Sequence, residues 1–375
     1  MKRIVLLTVF SVLLSFSSKA FDGDENYTLK DDATGKTVAE QLKIEKTGNK
    51  STDWAAELAS RIMVHGYAQG GYDFKNVDGT LSNSFKFTRA YFWLNGRITD
   101  RWSVLYMLEL GGKTHEFYTD YRVTNNNLLT VRLGQYKYSS TLENPISPCA
   151  TEVIDVCSEG VTFLCASSDP LLGLTYGRDL GLTLYGETDN KMFRYELGLM
   201  NGQGMGNKDL NNQKDVLVNL QYRPVTGLNI VGSAYFGTGC AVATSIFNPT
   251  INVGDNYRRN RYSAGFDYKS KPFNVRAEYL QGLDGDVTSV GGYVTGSIRL
   301  RENFDFVGSY DYFNFNTDLS LDQHKLVAGL QYWFYKGCRI QAQYVYKNAV
   351  TDYRTFFDNT KGQHAILCQV QFRIN

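Results

Sequence analysis

The sequence predicts an all-β protein, a transmembrane antiparallel β-barrel of about sixteen strands. Three observations support this fold class: side chains that alternate between apolar and polar along short segments, connections that alternate between short and long, and an unusual composition. The chain has 26 Tyr, 22 Phe and 35 Gly residues but only 6 Pro residues. Such a composition favours strands joined by tight turns.

The alternation is clearest near the C-terminus, over residues 366–374. Apolar residues occupy every second position there, and three of the four positions between them are polar. This strict period of two is typical of a strand with one apolar and one polar face. About sixteen such segments can be placed along the chain, the first two over 62–74 and 85–98. Each is near the 9–11 residues that a tilted strand needs to cross a membrane.

The connections between these segments indicate which kind of β-protein this is. Every second connection is a short turn, and most of the others are longer. The short ones lie at residues 99–100, 124–127, 188–190, 224–226, 270–271, 302–303 and 336–337, and the long ones include 138–177, 202–213, 237–258 and 349–362. Short turns at one rim and long loops at the other are typical of an outer-membrane barrel.

An even number of strands also predicts what lies inside the barrel. The sheet can close on itself, so that no strand edge meets hydrocarbon. A barrel of sixteen strands is too wide for side chains to fill, and its interior holds water. The apolar face of each segment is therefore predicted to face lipid, and the polar face to line an aqueous lumen.

The N-terminal sequence predicts export. Lys2 and Arg3 precede an apolar stretch from residue 4 to residue 16, and Ser18-Lys19-Ala20 follows, as in a signal peptide. We therefore divide the chain into a signal peptide (1–20), a polar periplasmic segment (21–60) and a barrel domain (61–375). The predicted location is the bacterial outer membrane, with lipid as the surrounding partner.

The overall charge and the cysteines give weaker indications. A net charge of +1 provides no basic stripe for nucleic acid, and nothing in the sequence implies a cofactor. Four of the six cysteines, Cys149, Cys157, Cys165 and Cys240, fall in predicted external loops, where disulfides of three possible connectivities would staple the loops. Cys338 and Cys368 fall on strands and are predicted to be small apolar fillers.

An enzyme is not predicted. The four histidines, His65, His115, His324 and His364, lie on separate strands or at strand ends, and none is near a Gly-x-Ser-x-Gly run. The cysteines and histidines also lack the spacing of a zinc site. We therefore expect neither catalytic residues nor a metal.

The connection at 138–177 is the strongest candidate for a functional loop, because idle loops are rarely about forty residues long. It contains no Lys or Arg between its ends, but it does contain acidic residues: Glu143, Glu152, Asp155, Glu159 and Asp169. The parity of the strands predicts a set of charged side chains on the inner wall: Arg132, Arg194, Arg223, Arg276, Arg299, Arg373, Glu109, Glu196, Glu278 and Asp305.

Several runs resemble the phosphate-selective porin O and P family. They are His65 to Gln69, Thr88-Arg89-Ala90 with Gly96-Arg97-Ile98, Val131 to Lys137, and Gly177 to Gly181. The resemblance covers most of the chain after the signal peptide. It implies a homotrimeric porin of sixteen strands whose third external loop, here 138–177, folds into the pore as a constriction.

These observations predict a passive pore for small hydrophilic solutes or ions, including anions such as phosphate. An acidic loop facing a partly basic wall would set up a field across the pore. That arrangement would oppose a selective phosphate site, which needs arginines without nearby carboxylates. The ion preference therefore stays open. The alternative is a structural or surface-binding barrel whose lumen the long loop blocks.

Overall fold

The computed structural model describes residues 37, 39–40, 50–155, 157–166, 170–349 and 362–374. The predicted signal peptide and most of the predicted periplasmic segment lie outside these ranges. The described part of that segment includes helix α1 (Lys50–Ala59), in which Ala56 is buried and Trp54 is exposed. None of the helices in the described ranges is long and apolar enough to cross a membrane.

Sixteen strands make up almost all of the described chain. They are β1 (Ile62–Val77), β2 (Thr80–Arg97), β3 (Trp102–Glu109), β4 (Thr114–Arg122), β5 (Thr130–Lys137), β6 (Arg178–Glu187), β7 (Phe193–Met200), β8 (Asp215–Tyr222), β9 (Leu228–Cys240), β10 (Asn256–Ser270), β11 (Phe273–Asp284), β12 (Val287–Arg301), β13 (Phe304–Asn314), β14 (Asp322–Tyr335), β15 (Cys338–Ala349) and β16 (Gln363–Ile374).

Each strand pairs antiparallel with its neighbours in sequence, and β1 pairs with β16 to close the barrel. The closing ladder runs from Gly66 opposite Ile374 to Val77 opposite Gln363. Closure gives the backbone groups of β1 and β16 hydrogen-bond partners along that ladder, as hydrocarbon requires. The predicted fold class, a transmembrane antiparallel barrel of sixteen strands, is confirmed.

The alternation of side chains follows the prediction on the later strands. On β15 the side chains of Gln341 and Gln343 are buried inside the barrel. The next residue along the strand, Tyr344, is 45% exposed on the outside. On β14 Gln331 is buried and Leu330 is exposed in the same way. Outward apolar residues suit lipid, and inward polar residues suit a wet or hydrogen-bonded interior.

The first five strands add to this pattern, because their inner face carries apolar residues as well as polar ones. Their inward positions carry an apolar cluster that is almost fully buried: Tyr67, Trp93, Leu105, Met107, Tyr118 and Tyr136. They belong to one packed cluster, in which the rings of Tyr118 and Tyr136, for example, form a T-shaped pair with centroids 5.9 Å apart. We call this set the inner aromatic cluster. The inner face of these strands is therefore mixed, since Gln69, Glu116 and Arg132 are also buried on it.

The first hairpin is longer than predicted. Instead of ending near residues 74 and 85, β1 and β2 continue to a two-residue turn at Asp78 and Gly79. Both turn residues have positive φ angles, 50° and 90°, which match a type I′ turn between twisted strands. The external rim therefore starts with a tall hairpin rather than with a loop.

The height of the barrel varies around its circumference. The six successive strands β3 to β8 have 8–10 residues each. The other ten strands have 11–18 residues. One side of the barrel is consequently low, and it begins directly beside the tall hairpin.

All six cysteines are free thiols. The expectation of stapled external loops is therefore not met, although the four cysteines do lie where loops were predicted or at the end of β9. Cys149 and Cys165 are instead buried among the apolar residues of the barrel interior. As predicted, Cys338 and Cys368 lie on strands, β15 and β16.

The closing ladder leads to a prediction about stability. A Cβ atom added at Gly71 of β1 would lie 1.8 Å from the carbonyl oxygen of Cys368 on β16, whereas one added at Gly232 of β9 would meet nothing within 4 Å. We expect Gly71→Ala to destabilise the barrel by about 1–3 kcal/mol, the usual cost of overpacking, and Gly232→Ala to have little effect. The temperature at which the folded band is lost on a denaturing gel measures this. If both variants lost the folded band at the same temperature, the close pairing of β1 with β16 at Gly71 would be contradicted.

Candidate pore and constriction loop

Residues 138–177, which we call the constriction loop, connect β5 to β6, and the described residues 138–155 and 157–166 lie inside the barrel. Side chains of the wall hold the loop by its backbone. On one side Gln69 of β1 donates to the carbonyl of Pro148 at 3.2 Å, and Gln371 of β16 donates to that of Cys149 at 3.1 Å. Lys137 at the end of β5 donates to the carbonyl of Asn144 at 2.8 Å.

The opposite side of the lumen holds the loop in the same way. Asn219 of β8 donates to the carbonyl of Ser139 at 3.0 Å, and Glu278 of β11 accepts from the backbone N–H of Leu142 at 2.6 Å. Back on the first side, next to β16, Gln343 of β15 both donates to the carbonyl of Glu152 and accepts from the N–H of Ile154. The loop thus crosses the lumen and is fixed to both sides of it.

Apolar packing fixes the tip of the loop. Helix α2 (Glu159–Val161) begins at Ser158, whose hydroxyl accepts from the N–H of Val161, and a π-helical turn (Thr162–Ala166) follows. Val161 and Leu164 are buried in one cluster with Leu280 of β11 and Phe313 of β13. A Cβ atom on Gly160 would lie 2.7 Å from these two wall side chains. Glycine at this position therefore allows the helix to approach the wall.

The loop separates two cavities. The cavity at the end with the short turns, which the sequence predicts to be the periplasmic end, measures about 1100 Å³, and the one at the end with the long loops, the predicted external end, about 670 Å³. No described residue lines both cavities. Pro148 lines the external cavity and the adjacent Cys149 the periplasmic one, so the loop is a thin partition at this point.

Two of the predicted loop acids bind one wall arginine. Arg276 of β11 lies 3.3 Å from a carboxylate oxygen of Glu143 and 2.9 Å from one of Glu152. All three side chains are largely buried. Burial raises the pKa of Glu152, but Arg276, a backbone hydrogen bond and Lys269 together lower it further, so that the pKa lies below its ordinary value. Arg276 therefore pairs with both carboxylates within the loop–wall contact and offsets one of their two charges.

A third loop acid, Glu159, binds two lysines of the wall. Its carboxylate lies 3.0 Å from Nζ of Lys325 on β14 and 2.8 Å from Nζ of Lys347 on β15. Burial raises its pKa, but the two ammonium groups lower it to about 2. Asp155 is exposed and lines the external cavity. Asp169 lies outside the described residues.

The six predicted wall arginines, Arg132, Arg194, Arg223, Arg276, Arg299 and Arg373, all line the periplasmic cavity. Most of them have carboxylate partners on the wall. Arg132 binds Asp120 through two nitrogens at 2.6 and 2.8 Å, and its guanidinium lies 3.8 Å from the ring centre of Tyr118. Arg194 pairs with Glu196 at 3.4 Å. These arginines are positioned by the wall rather than by the loop.

Two more wall arginines form ion pairs with carboxylates, and the predicted wall acids lie in different parts of the lumen. Arg223 pairs with Glu187 at 2.5 Å, and Arg299 pairs with Asp305. Glu109 lines the external cavity and lies 3.1 Å from His115. The predicted wall acids Glu196 and Glu278 are both buried, the second against the constriction loop.

Several charged residues that the structure places at the loop were not predicted as site residues. They are Lys137, Arg178, Lys325, Lys347 and Arg339. Arg339 donates to the carbonyl of Thr151 at 2.8 Å, and it forms no ion pair within the described ranges. Lys325, Arg339 and Lys347 share the parity of the inward glutamines of β14 and β15. Applying the parity rule to every strand would have found them.

A closed antiparallel barrel of sixteen strands, with one long loop folded inside it, is the fold of the outer-membrane porins. Solved structures show the same fold at low sequence identity. The chain resembles the anion-selective porin from Comamonas acidovorans with a TM-score of 0.63 and 11% identity, over 84% of this chain and 99% of that one.

Two further solved structures have the same architecture. The trimer form of OmpT, an outer membrane protein of Vibrio cholerae, gives a TM-score of 0.58 and 12% identity over 84% of this chain and 100% of that one. Salmonella typhi OmpF, in complex with daunomycin, gives 0.59 and 13% over 83% and 97%.

No protein family and no curated protein matches the chain. The structural likeness establishes the porin fold. The resemblance to the phosphate-selective O and P family stays a prediction.

The shared arginine leads to a second prediction. Removing the charge in Arg276→Met leaves Glu143 and Glu152 buried without their cation, which typically costs about 3–5 kcal/mol. The matched control is Arg97→Met, because Arg97 lines the same cavity but is exposed. We expect Arg276→Met to lower the temperature at which the folded band disappears on a denaturing gel, and Arg97→Met to leave it unchanged. Identical temperatures would show that the loop is not held by this triad.

Proposed function

We propose that the protein is a porin of the bacterial outer membrane through which small hydrophilic solutes diffuse passively, with a preference for anions. The observation that supports an anion preference is that cationic side chains outnumber acidic ones in both cavities. Twelve Arg and Lys side chains line the periplasmic cavity against six Asp and Glu, and seven line the external cavity against four. Such an excess raises the local concentration of anions.

The contacts of the loop acids support this preference. An acidic loop would favour cations if its carboxylates faced the solute, as the sequence suggested. Glu143, Glu152 and Glu159 instead bind Arg276, Lys325 and Lys347 at 2.8–3.3 Å. Their charges are therefore largely cancelled at the distance of a passing ion.

We place the narrowest point of the pathway beside Lys137. This lysine lines the external cavity and donates to the carbonyls of Asn144 and Ile146, at 2.8 and 3.1 Å. Ile146 in turn lines the periplasmic cavity. A solute that moves from one cavity to the other next to this thin part of the loop passes a cation whose contacts are neutral carbonyls.

The arginine contacts favour a general anion preference over a dedicated phosphate site. Phosphate binds best to arginines with free paired donors. Arg132, Arg223 and Arg299 already bind carboxylates of the wall. We therefore propose phosphate as one of several permeant anions. The anion selectivity stated for the Comamonas porin is in keeping with this proposal.

We also propose a homotrimer, as the family resemblance implies. The OmpT structure of similar fold is in a trimer form. Lipid surrounds the assembly, and solutes in transit are its other partners. The proposal includes neither a catalytic activity nor a cofactor.

One observation favours the alternative of a structural barrel with a blocked lumen. The loop is hydrogen-bonded to both sides of the wall, and the inner aromatic cluster packs against its Cys149. Single-channel recording in a planar bilayer decides between the two. Steady conductance steps support the porin, and a tight membrane that contains folded protein supports the blocked barrel.

The ion preference is the third prediction. We expect the reversal potential in a KCl gradient to show that chloride is more permeant than potassium. One unit charge about 8 Å away in water acts with about 0.5 kcal/mol, which is about twofold in ion population. Lys137→Gln should therefore lower the permeability ratio of chloride to potassium about twofold, and Glu159→Gln should raise it by a similar factor, because it frees two lysines.

The matched control is Lys208→Gln, since Lys208 is exposed and lines neither cavity. Its ratio should equal that of the unaltered protein. A preference for potassium in the unaltered protein, or equal shifts in all three variants, would contradict the proposed selectivity.

The low pKa of Glu159 gives the fourth prediction. A depressed pKa means that the ionised form, and the anchoring that it provides, persists as the pH falls until about pH 2. The difference in permeability ratio between the unaltered protein and Glu159→Gln should therefore be the same at pH 7 and at pH 4. If the difference vanishes by pH 4, Glu159 titrates like an ordinary carboxylate and is not held by the two lysines.

A further inference from the structure

The second strand contains a β-bulge beside the external cavity. Gln69 of β1 pairs with Arg89 of β2, but the next residue of β1, Gly70, pairs with Phe87. Thr88 is therefore an extra residue on β2, with no residue of β1 opposite it. Bulges change the direction in which side chains leave a strand, and they are common next to binding sites.

The bulge brings two adjacent side chains to the same cavity. Lys86 and Thr88 line the external cavity, whereas Phe87 between them is exposed on the outside of the barrel. After the bulge the order changes, and Arg89 and Tyr91 line the cavity. A regular strand alternates and would turn only one of two neighbours inward. Here Thr88 and Arg89 follow each other in the chain and both line the lumen.

Arg89 differs from the other cations of the external cavity. Six of the seven Arg and Lys side chains there contact an acceptor of the protein, which is Asp73, Glu116, Glu159 or, for Lys137, carbonyl oxygens. Within the described ranges, the half-buried side chain of Arg89 forms neither an ion pair nor a hydrogen bond. Its paired N–H donors are thus available to a planar oxyanion such as a carboxylate.

The hydroxyl of Thr88 also has unused hydrogen-bonding capacity. Its oxygen is buried and has no hydrogen-bond partner among the described residues. A buried polar group without a partner is costly, and rotation about the Cα–Cβ bond can turn a threonine hydroxyl toward a new acceptor. A carboxylate held by the adjacent Arg89 would be such an acceptor.

An aromatic surface continues from Arg89 along the cavity. Tyr91 lies two residues further on the same face of β2, about 7 Å along the strand. Its ring meets that of His115 edge-on with centroids 4.8 Å apart, and His115 meets Tyr176 in the same way at 5.4 Å. Tyr91 and Tyr176 both line the external cavity. A planar apolar group beside Arg89 would therefore meet aromatic rings.

We propose that Thr88, Arg89 and Tyr91 form a binding site for monocarboxylate solutes with an aromatic body, and we call it the bulge site. Arg89 and Thr88 donate to the carboxylate, and the aromatic body packs against Tyr91. A single negative charge suits the site better than a phosphate dianion, because Asp73 and Glu109 also line the cavity. The cavity volume of about 670 Å³ lies within the range of small-molecule sites. The inference rests on the proposed porin and deepens it by naming a class of solute.

The first experiment measures binding of benzoate to the full-length protein in detergent micelles. Saturation-transfer difference NMR detects weak binding and does not depend on conductance. We expect benzoate to bind and acetate to bind more weakly, since acetate has no ring. Arg89→Gln should abolish the benzoate signal, because it removes the charge and the paired donors. Thr88→Val keeps the shape but removes a hydrogen bond to a charged group, so it should weaken binding roughly tenfold.

The matched control is Lys75→Gln. Lys75 lines the same cavity and the substitution removes the same charge, but Lys75 lies outside the bulge and is 3.9 Å from Asp73. We expect this variant to change the dissociation constant of benzoate less than about twofold, because water and salt screen its charge. The heat-modifiable gel shift shows that each variant is folded.

Three results would overturn the bulge site. The first is the absence of benzoate binding to the unaltered protein. The second is an equal loss of binding in Arg89→Gln and Lys75→Gln, which would show a general effect of charge. The third is stronger binding of inorganic phosphate than of benzoate, measured by displacement, which would show that the site does not select carboxylates.

Currents in planar bilayers separate this inference from the proposed function. Benzoate should reduce the chloride current through the unaltered protein but not through Arg89→Gln. A chloride preference without benzoate binding would refute the bulge site and leave the porin standing. Benzoate binding, lost in Arg89→Gln, by a protein that never conducts would refute the porin and leave the bulge site standing.

Discussion

The backbone of the constriction loop is buried inside the barrel, and each of its polar groups needs a hydrogen-bond partner there. Wall side chains provide many of these partners: Gln69 and Gln371 hold carbonyls on one side, and Asn219 and Glu278 hold the loop on the other. The inward polar side chains of this barrel therefore serve two purposes. They line cavities where the lumen is wet, and they bind backbone where the loop crosses it.

The same requirement determines the charge pattern of the lumen. Glu143 and Glu159 are acidic groups on a loop that has to pack against a wall, and buried carboxylates need cations. Arg276 and Lys325 meet that need. Because this pairing cancels the loop's charge locally, the cations that remain along both cavities set the sign of the potential. An acidic loop and an anion preference are thus compatible.

Much of the fold follows from the sequence, because strand period and alternating connection length are local properties. Parity also places Arg132 and Arg276 on the inner wall, as the structure has them. Parity does not give the partners: the pairing of Arg276 with Glu143 and Glu152 joins residues far apart in the chain. Parity also does not show that the inward rings of Tyr67 and Trp93 pack in a cluster with residues of the loop. Contacts with the loop determine how the inward side chains are paired and packed. Those contacts join residues far apart in the chain, so a local sequence pattern does not show them.

The thin part of the loop has a consequence for thiol chemistry. Cys149 lines the periplasmic cavity, and Cys157 of the same loop lines the external one. Burial raises the pKa of Cys157 to about 12, so that little of it is thiolate at neutral pH. The two sulfur atoms of this short stretch of chain thus face different cavities, one on each side of the loop.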